Sequence, residues 1–296
     1  MTRIQATVLT LLVCGVTNAA EPIQIGSRLE LMIDDHLIAS TRGRIGLQMH
    51  RPVRRNIALV TDNKWEGNAC TYTSVFQDGD RYRMYFGSLH YEMARGKLIQ
   101  GHPPFTCYAE SRDGIHWTKP NLGLVEFEGS RKNNIVLANG TIPGLVVDAA
   151  HIAVFKDSNP KCPPAEQYKA LIRSRAMKGL YALKSPDGFH FSPITRRLVI
   201  TDGAFDSENL AFWDSVRGEY RAYFRDFQRG IRGIKTSTSK NFVDWSKPEW
   251  LVFPGAPDEH LYTNQVTPYA RAPHILFGFP MRYIDRGRVD STDKLP

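Results

Sequence analysis

The chain is 296 residues long, 42% hydrophobic and 11% aromatic, with a formal net charge of +8 and a pI near 9.3. That apolar content suffices for a large core and excludes a disordered chain. Its Lys and Arg residues are scattered singly, and the densest cluster, Arg51 to Arg55, holds three. No basic stripe interleaved with aromatics is present, so nucleic acid is not an expected partner.

The N-terminus reads as a secretory signal peptide over residues 1–20. Arg3 gives the positive start, Ala6 to Val16 the apolar run, and Thr17-Asn18-Ala19-Ala20 the small residues before Glu21. The run is too short to span a membrane, and Val13 ahead of Cys14 argues against a lipid anchor. The expectation is an exported protein, secreted or periplasmic, with one domain over residues 21–296. Cys70, Cys107 and Cys162 remain, an odd count that implies no disulfide scaffold, although one bridge plus a free thiol is open.

Beyond the signal, helical periodicity is nearly absent. Leu29 to Asp34 and Leu37-Ile38 read as a strand and its turn. A two-part phrase then occurs three times. Its first part is an aromatic, any residue and Asp, followed by a Tyr-led apolar run: Phe76-Gln77-Asp78 with Tyr82 to Phe86, Phe155-Lys156-Asp157 with Tyr168 to Ile172, and Phe212-Trp213-Asp214 with Tyr220 to Phe224. Its second part is a Ser-initiated turn closing on an aromatic: Ser111 to Trp117, Ser185 to Phe191 and Ser239 to Trp245. Each unit supplies four strands in two hairpins, which is one propeller blade. A looser fourth unit runs from Tyr262 through Val266, Tyr269 and His274 to Phe279, and Ser291 to Pro296 is polar with no closing strand. The expected fold is an all-β, five-bladed β-propeller of four-stranded antiparallel blades. Its C-terminal blade is incomplete, and the leading strand near Leu31 closes the ring. A linear array of the same units is the alternative.

The turn Ser111-x-Asp113-Gly114-x-x-Trp117 followed by Lys119-Pro120, the aromatic-x-Asp hairpins and Trp65-Glu66-Gly67 resemble the five-bladed propeller glycoside hydrolases, the arabinanase, xylosidase, invertase and levansucrase group of families 32, 43 and 68. Leu31 to Ile38 and Phe205-Asp206-Ser207-Glu208-Asn209 are similar in style to secreted hydrolase-like proteins of planctomycete-type bacteria. Sialidase Asp-boxes are a weaker match, because Gly114 and Gly188 directly follow Asp113 and Asp187, one residue too early. The turns read as structural, with Trp117, Phe191 and Trp245 filling the spaces between blades.

Residues ahead of each aromatic-x-Asp strand would face a central channel. They give Glu66 or, less favoured, Asp62 in the first unit, Asp148 in the second, and Asp206 with Glu208 in the third. Paired carboxyl groups are what glycoside cleavage needs. The resemblance implies a base or nucleophile at Glu66, a modulator at Asp148 and an acid at Glu208, with Asp206 close behind. The chain lacks the group's Arg-Asp-Pro and Glu-x-Pro signatures, and Arg225-Asp226 follows a strand without the Pro. His151, Asn209, His260, Tyr262, Asn264 and Arg271 are candidates for sugar hydroxyls or an anionic sugar, and Trp65 or Trp213 for stacking on a pyranose. Asp78, Asp157 and Asp214 read as hairpin-turn residues. No metal or cofactor motif occurs. The expected activity is a secreted glycosidase acting on an oligo- or polysaccharide of plant or algal origin. A propeller phosphorylase and a non-catalytic carbohydrate-binding propeller are the rivals.

Overall fold

Each copy of the repeated phrase folds into a four-stranded antiparallel sheet in the computed structural model, which describes residues 21–287. The signal-peptide segment and Ser291 to Pro296 lie outside the described residues. The chain divides into two units, residues 1–53 and 54–296. In the first unit, residues 21–53 form turns and bends without a strand, and Leu29, Met32 and Ile33 are exposed. The leading strand expected near Leu31 therefore does not form: among the described residues no strand ladder includes it, and an unpaired strand is not stable in water.

The second unit holds all the described sheets. The first blade runs β1 (Ala69–Asp78), β2 (Arg81–Ala94), β3 (Lys97–Ser111) and β4 (Trp117–Thr118), with β5 (Ile135–Ala138) added against β3. The second runs β6 (Val147–Lys156), β7 (Tyr168–Ser174), β8 (Leu180–Ser185) and β9 (Ser192–Pro193). The third runs β10 (Leu210–Asp214), β11 (Glu219–Gln228), β12 (Ile231–Ser239) and β13 (Glu249–Trp250). In the looser fourth region β14 (His260–Leu261) pairs with β17 (Arg282–Tyr283), and β15 (Thr267–Tyr269) pairs with β16 (Ala272–Phe277). The described residues thus hold three complete blades and two short ladders, an all-β propeller architecture.

The blades meet through their first strands, β1 against β6 and β6 against β10. Apolar residues fill the spaces between them. Tyr85 and Tyr108 of the first blade pack with Val154, Ile172 and Leu183 of the second. Phe155 and Leu171 of the second pack with Phe212, Tyr223 and Phe224 of the third. Phe191 and Trp245 lie against these two inter-blade clusters as expected, whereas Trp117 packs against a separate cluster of the first blade's own strands.

The Ser-initiated turns share one internal network. Asp113 Oδ1 accepts from the amides of Ile115 and His116, and Ser111 Oγ accepts from that of Gly114. Asp187 and Ser185 repeat this with Phe189, His190 and Gly188. In the third copy Asn241 takes the Asp position and accepts from Val243 and Asp244. There the left-handed backbone that glycine supplies at Gly114 (φ +73°) and Gly188 (φ +84°) is carried by Phe242 (φ +65°). Its ring is fully buried against Phe155 and Tyr220, and that burial offsets the steric cost of the conformation.

The aromatic-x-Asp aspartates do more than shape hairpins. Asp78 accepts from the Tyr168 hydroxyl at 2.6 Å and from Lys156 Nζ at 2.5 Å, both in the next blade. Asp157 likewise accepts from the Tyr220 hydroxyl at 2.6 Å in the third blade and from Lys169 Nζ at 2.5 Å in its own. Tyr168 and Tyr220, at the start of the second strands of their blades, thus latch onto the preceding blade. Among the described residues Asp214 has no such tyrosine: it caps its own turn through the amides of Val216 and Arg217 and pairs with the Arg217 guanidinium.

Candidate functional site

At the opposite end of the inner strands, the second and third blades bring charged groups together. Asp148 and His151 lie on β6, Arg173 ends β7, Asp206 stands in the loop before β10, and Arg225 lies inside β11. One Arg173 Nη1 donates to Asp148 Oδ2 at 3.2 Å and to Asp206 Oδ1 at 3.1 Å. The His151 ring spans the same two carboxylates, with Nδ1 3.1 Å from Asp148 and Nε2 3.3 Å from Asp206. The Nδ1 contact is close but not aligned as a hydrogen bond. Asp148 is buried, while the Asp206 side chain is 64% exposed and faces solvent.

Tyr72 completes this group from the first blade. It sits at the bulge where the β1–β2 register shifts between Thr71 and Thr73, and its φ is +42°. Bulges next to sites redirect a side chain out of the strand alternation. Here the Tyr72 ring lies 4.9 Å from the His151 ring, and its hydroxyl is 3.5 Å from that of Tyr262. The Tyr262 ring in turn lies 5.1 Å from the Arg225 guanidinium, a cation–π distance.

The protonation states follow from these contacts. The His151 contact, with Arg173 behind it, holds the Asp206 carboxyl down at about 2 against the opposing effect of partial burial. Burial pushes Asp148 up, but the same histidine and the arginine charges outweigh it, and the net direction is down. Burial pushes His151 down, and the two carboxylates reverse that, so the imidazole holds its proton more tightly than usual. Glu208 differs. It is 1% exposed, Gln265 donates to its Oε2, and its Oε1 has no partner. Burial pushes this carboxyl up to about 8, so it carries a proton at neutral pH.

The other candidates fall elsewhere. Glu66 is fully buried, and its Oε2 accepts from the amides of Asp62 and Asn63, the Asn63 side chain and Lys119 Nζ, while Oε1 accepts from Asn134. Among the described residues no bond or ion pair joins it to the Asp148–Asp206 group. Asp62 pairs with the same Lys119. Trp65 donates to Asn134 and lies edge-on to Phe127. Trp213 stands in β10 beside Tyr220, at the latch end. Asn209 donates to the carbonyls of Phe205 and Ser207 and holds the loop that presents Asp206. Asn264 donates to the carbonyls of Glu208 and Tyr223. His260 Nδ1 accepts from the Arg232 amide. Arg271 lies exposed in the β15–β16 hairpin turn, the end of the strand where the latches of the other blades sit.

Arg173 and Arg225 were absent from the expected set, yet the repeat contains them. Each stands five residues after the Tyr of its second strand, where the first copy has Gly87. A Cβ at Gly87 would meet the Ala150 carbonyl and Thr71 Oγ1 at 2.4 Å, so that copy has no room for a side chain. Arg225 lies within β11 rather than after a strand, and its neighbour Asp226 points to Lys235 at 2.7 Å. Tyr72 gave no sequence signal beyond its place in an aromatic-rich strand, because the bulge that turns it is a property of pairing. Cys70, Cys107 and Cys162 are all free. Among the described residues no group of three or more His, Cys, Asp or Glu is arranged to hold a metal, and no helix is long and apolar enough to cross a membrane.

No family model matches the chain. An uncharacterized protein of Mycobacterium tuberculosis, found in two strains, is 38% identical over 60 residues, which is 20% of this chain and 19% of that protein. The chain thus matches about a fifth of the length of these curated relatives. Among solved structures, it is similar to a family 117 glycoside hydrolase of Zobellia galactanivorans (12% identity, TM-score 0.46), covering 74% of this chain and 55% of that one. It is also similar to a glycosyl hydrolase of Bacteroides ovatus (14%, TM-score 0.41, 67% and 57% covered). A third is the β-1,2-mannobiose phosphorylase of Listeria innocua (12%, TM-score 0.40, 62% and 59% covered).

Proposed function

We propose that this chain is a secreted glycan-active enzyme, a glycosidase that cleaves a plant or algal glycan between paired carboxyl groups. The observation that carries the reading is the contrast between Asp206 and Glu208, two residues apart. One is solvent-facing and ionised, and the other is buried and protonated at neutral pH. Glycoside cleavage takes one carboxylate and one carboxylic acid, and environment separates their roles. Asp206 acts as base or nucleophile, and Glu208 as the proton donor. Asp148 orients His151 and Arg173 and so sets the charge around Asp206. Glu66, with both oxygens already engaged and no exposure, belongs to the scaffold of the first blade in this reading.

Tyr262 and Tyr72 offer ring faces beside Asp206 for a sugar, and His151 a hydrogen-bonding edge. The N-terminal pattern of Arg3, the Ala6 to Val16 run and Thr17 to Ala20 supports export.

The test is release of reducing ends from a panel of plant and algal polysaccharides by the full chain. Asp206→Asn and Glu208→Gln are each expected to lower kcat by about 10²- to 10⁴-fold with KM little changed. Glu66→Gln is expected to lower the melting temperature and leave kcat of the folded fraction near wild type. If no polysaccharide is cleaved, while wild type and both variants are equally retarded by a glycan in affinity electrophoresis, the chain is a carbohydrate-binding propeller and the glycosidase reading falls.

A further inference from the structure

Beside Asp206 opens a cleft of about 560 Å³ between the β7–β8 turn of the second blade and the β11–β12 hairpin of the third. Five cationic side chains line it, Arg173, Arg175, Lys178, Arg225 and Arg232, against the single carboxylate of Asp206. Two of those cations are poorly served by the protein. The Arg225 side chain is 6% exposed, its Nε has no partner, and its Nη2 reaches Asp206 only at 3.9 Å. The rings of Phe227 and Tyr262 lie 5.5 and 5.1 Å from its guanidinium. Arg232 also has an unpartnered buried Nε, although its Nη1 lies 3.2 Å from His260 Nδ1, and its guanidinium stacks 4.2 Å from the Tyr283 ring.

A buried guanidinium is costly unless its donors are met by an anion or hydrogen-bond acceptors. Asp206 meets this need only in part, because its Oδ1 is held by Arg173 and His151 and its Oδ2 lies 3.9 Å from Arg225 Nη2, beyond hydrogen-bond distance. Aromatic faces orient the planar fork and leave its edge free for bidentate recognition. We infer that this cleft is an oxyanion subsite, in which Arg225 and Arg232 grip a carboxylate or sulfate carried by an acidic sugar, or a free phosphate. This deepens the proposed function by naming its substrate class, and it rests on that reading only for the word glycan. The binding of an oxyanion stands on the cleft alone.

The experiment reads binding rather than turnover. The melting temperature of the full chain is followed with oligogalacturonate, a sulfated galactan oligosaccharide, their uncharged counterparts and inorganic phosphate, each against chloride at equal ionic strength. The expected result is a rise with the oxyanion-bearing probes and none with the uncharged ones. Affinity by titration calorimetry is expected to fall about ten- to hundredfold in Arg232→Gln. It is expected to fall similarly in Arg225→Gln, to recover in part in Arg225→Lys, and to be unchanged in Lys132→Gln on an exposed loop of the first blade.

Because Arg225→Gln also removes a buried cation, its melting temperature without ligand is measured alongside, and Arg232→Gln keeps the test valid if Arg225→Gln does not fold. Response to the acidic oligosaccharides makes the anion part of the sugar, and response to phosphate alone makes it a free co-substrate. Equal binding of charged and uncharged sugars with no response to phosphate overturns the subsite. Failure of hydrolysis, by contrast, touches only the proposed activity.

Discussion

The two ends of the inner strands use the same residue types to opposite effect. At the hairpin end, Asp157 is wholly enclosed and meets Lys169 Nζ and the Tyr220 hydroxyl at 2.5 and 2.6 Å. At the other end, Asp206 is 64% exposed and shares its histidine and one arginine with Asp148. Both ends hold carboxylates, cations and tyrosines. They differ in whether the protein completes the set. At the Asp157 latch the protein itself supplies both partners of the carboxylate. The inner end has a guanidinium nitrogen of Arg225 and a carboxyl oxygen of Glu208 without partners, and a cleft beside the guanidinium. A repeated architecture therefore separates stability from chemistry by position along the strand rather than by residue type.

The sharpest way to break this comparison is to empty a latch. Asp157→Ala leaves Lys169, whose side chain is 3% exposed, with the longer 3.5 Å contact to Glu166 as its only carboxylate contact among the described residues. Removing one partner of such a pair costs about 3–5 kcal/mol. Denaturant unfolding should show that loss, and any residual glycan binding by the folded fraction should be unchanged. A loss below about 1 kcal/mol would mean that the latch is no more than a surface pair.

Glu208 gives an intermediate effect with a definite sign. Its folded value of about 8 lies above the 4.5 of an ordinary Glu, so the folded state holds a proton that the unfolded chain releases. The resulting stabilisation is complete below pH 4.5 and is lost as pH rises through 8. In that window the wild type should lose on the order of 1 kcal/mol per pH unit relative to Glu208→Gln, which carries no such proton. Urea midpoints of the two proteins at pH 5, 6, 7 and 8 check this. Parallel curves would mean that Glu208 is ionised throughout, and the proton donor would have to be found elsewhere.

Much of the latch end is legible in the sequence and little of the inner end. Asp78, Asp157 and the two tyrosines recur at fixed places in a thrice-repeated phrase, because the two junctions between the three blades are made by the same contact. The candidates Asp148, Asp206 and Glu208 come from the same repeat, since it marks where each inner strand begins. Which carboxylates converge is decided by pairing across blades. Tyr72 reaches His151 through a bulge, and Glu66 is enclosed by Asn134 and Lys119, which lie 68 and 53 residues away along the chain. The leading strand near Leu31 shows the same limit from the other side. An apolar run of strand composition stays irregular where no partner strand pairs with it.

The smallest expected effect lies in the Ser-initiated turns, where the three copies already perform the comparison. Asp113 and Asp187 hold two amides and a histidine ring each, and Asn241 holds the equivalent two amides with its own side-chain oxygen. Because the amide oxygen of Asn does the same work, Asp113→Asn should preserve the turn. It removes the charged contact with His116, whose side chain is 84% exposed, so screening by solvent keeps the change within about 0.5 kcal/mol. Asp113→Ala removes the acceptor altogether and leaves the amides of Ile115 and His116 unmet, and should cost about 1 kcal/mol or more. Unfolding midpoints of the two variants separate the cases. If Asp113→Asn costs as much as Asp113→Ala, the charge rather than the acceptor holds the turn, and Asn241 in the third blade would then need a different explanation.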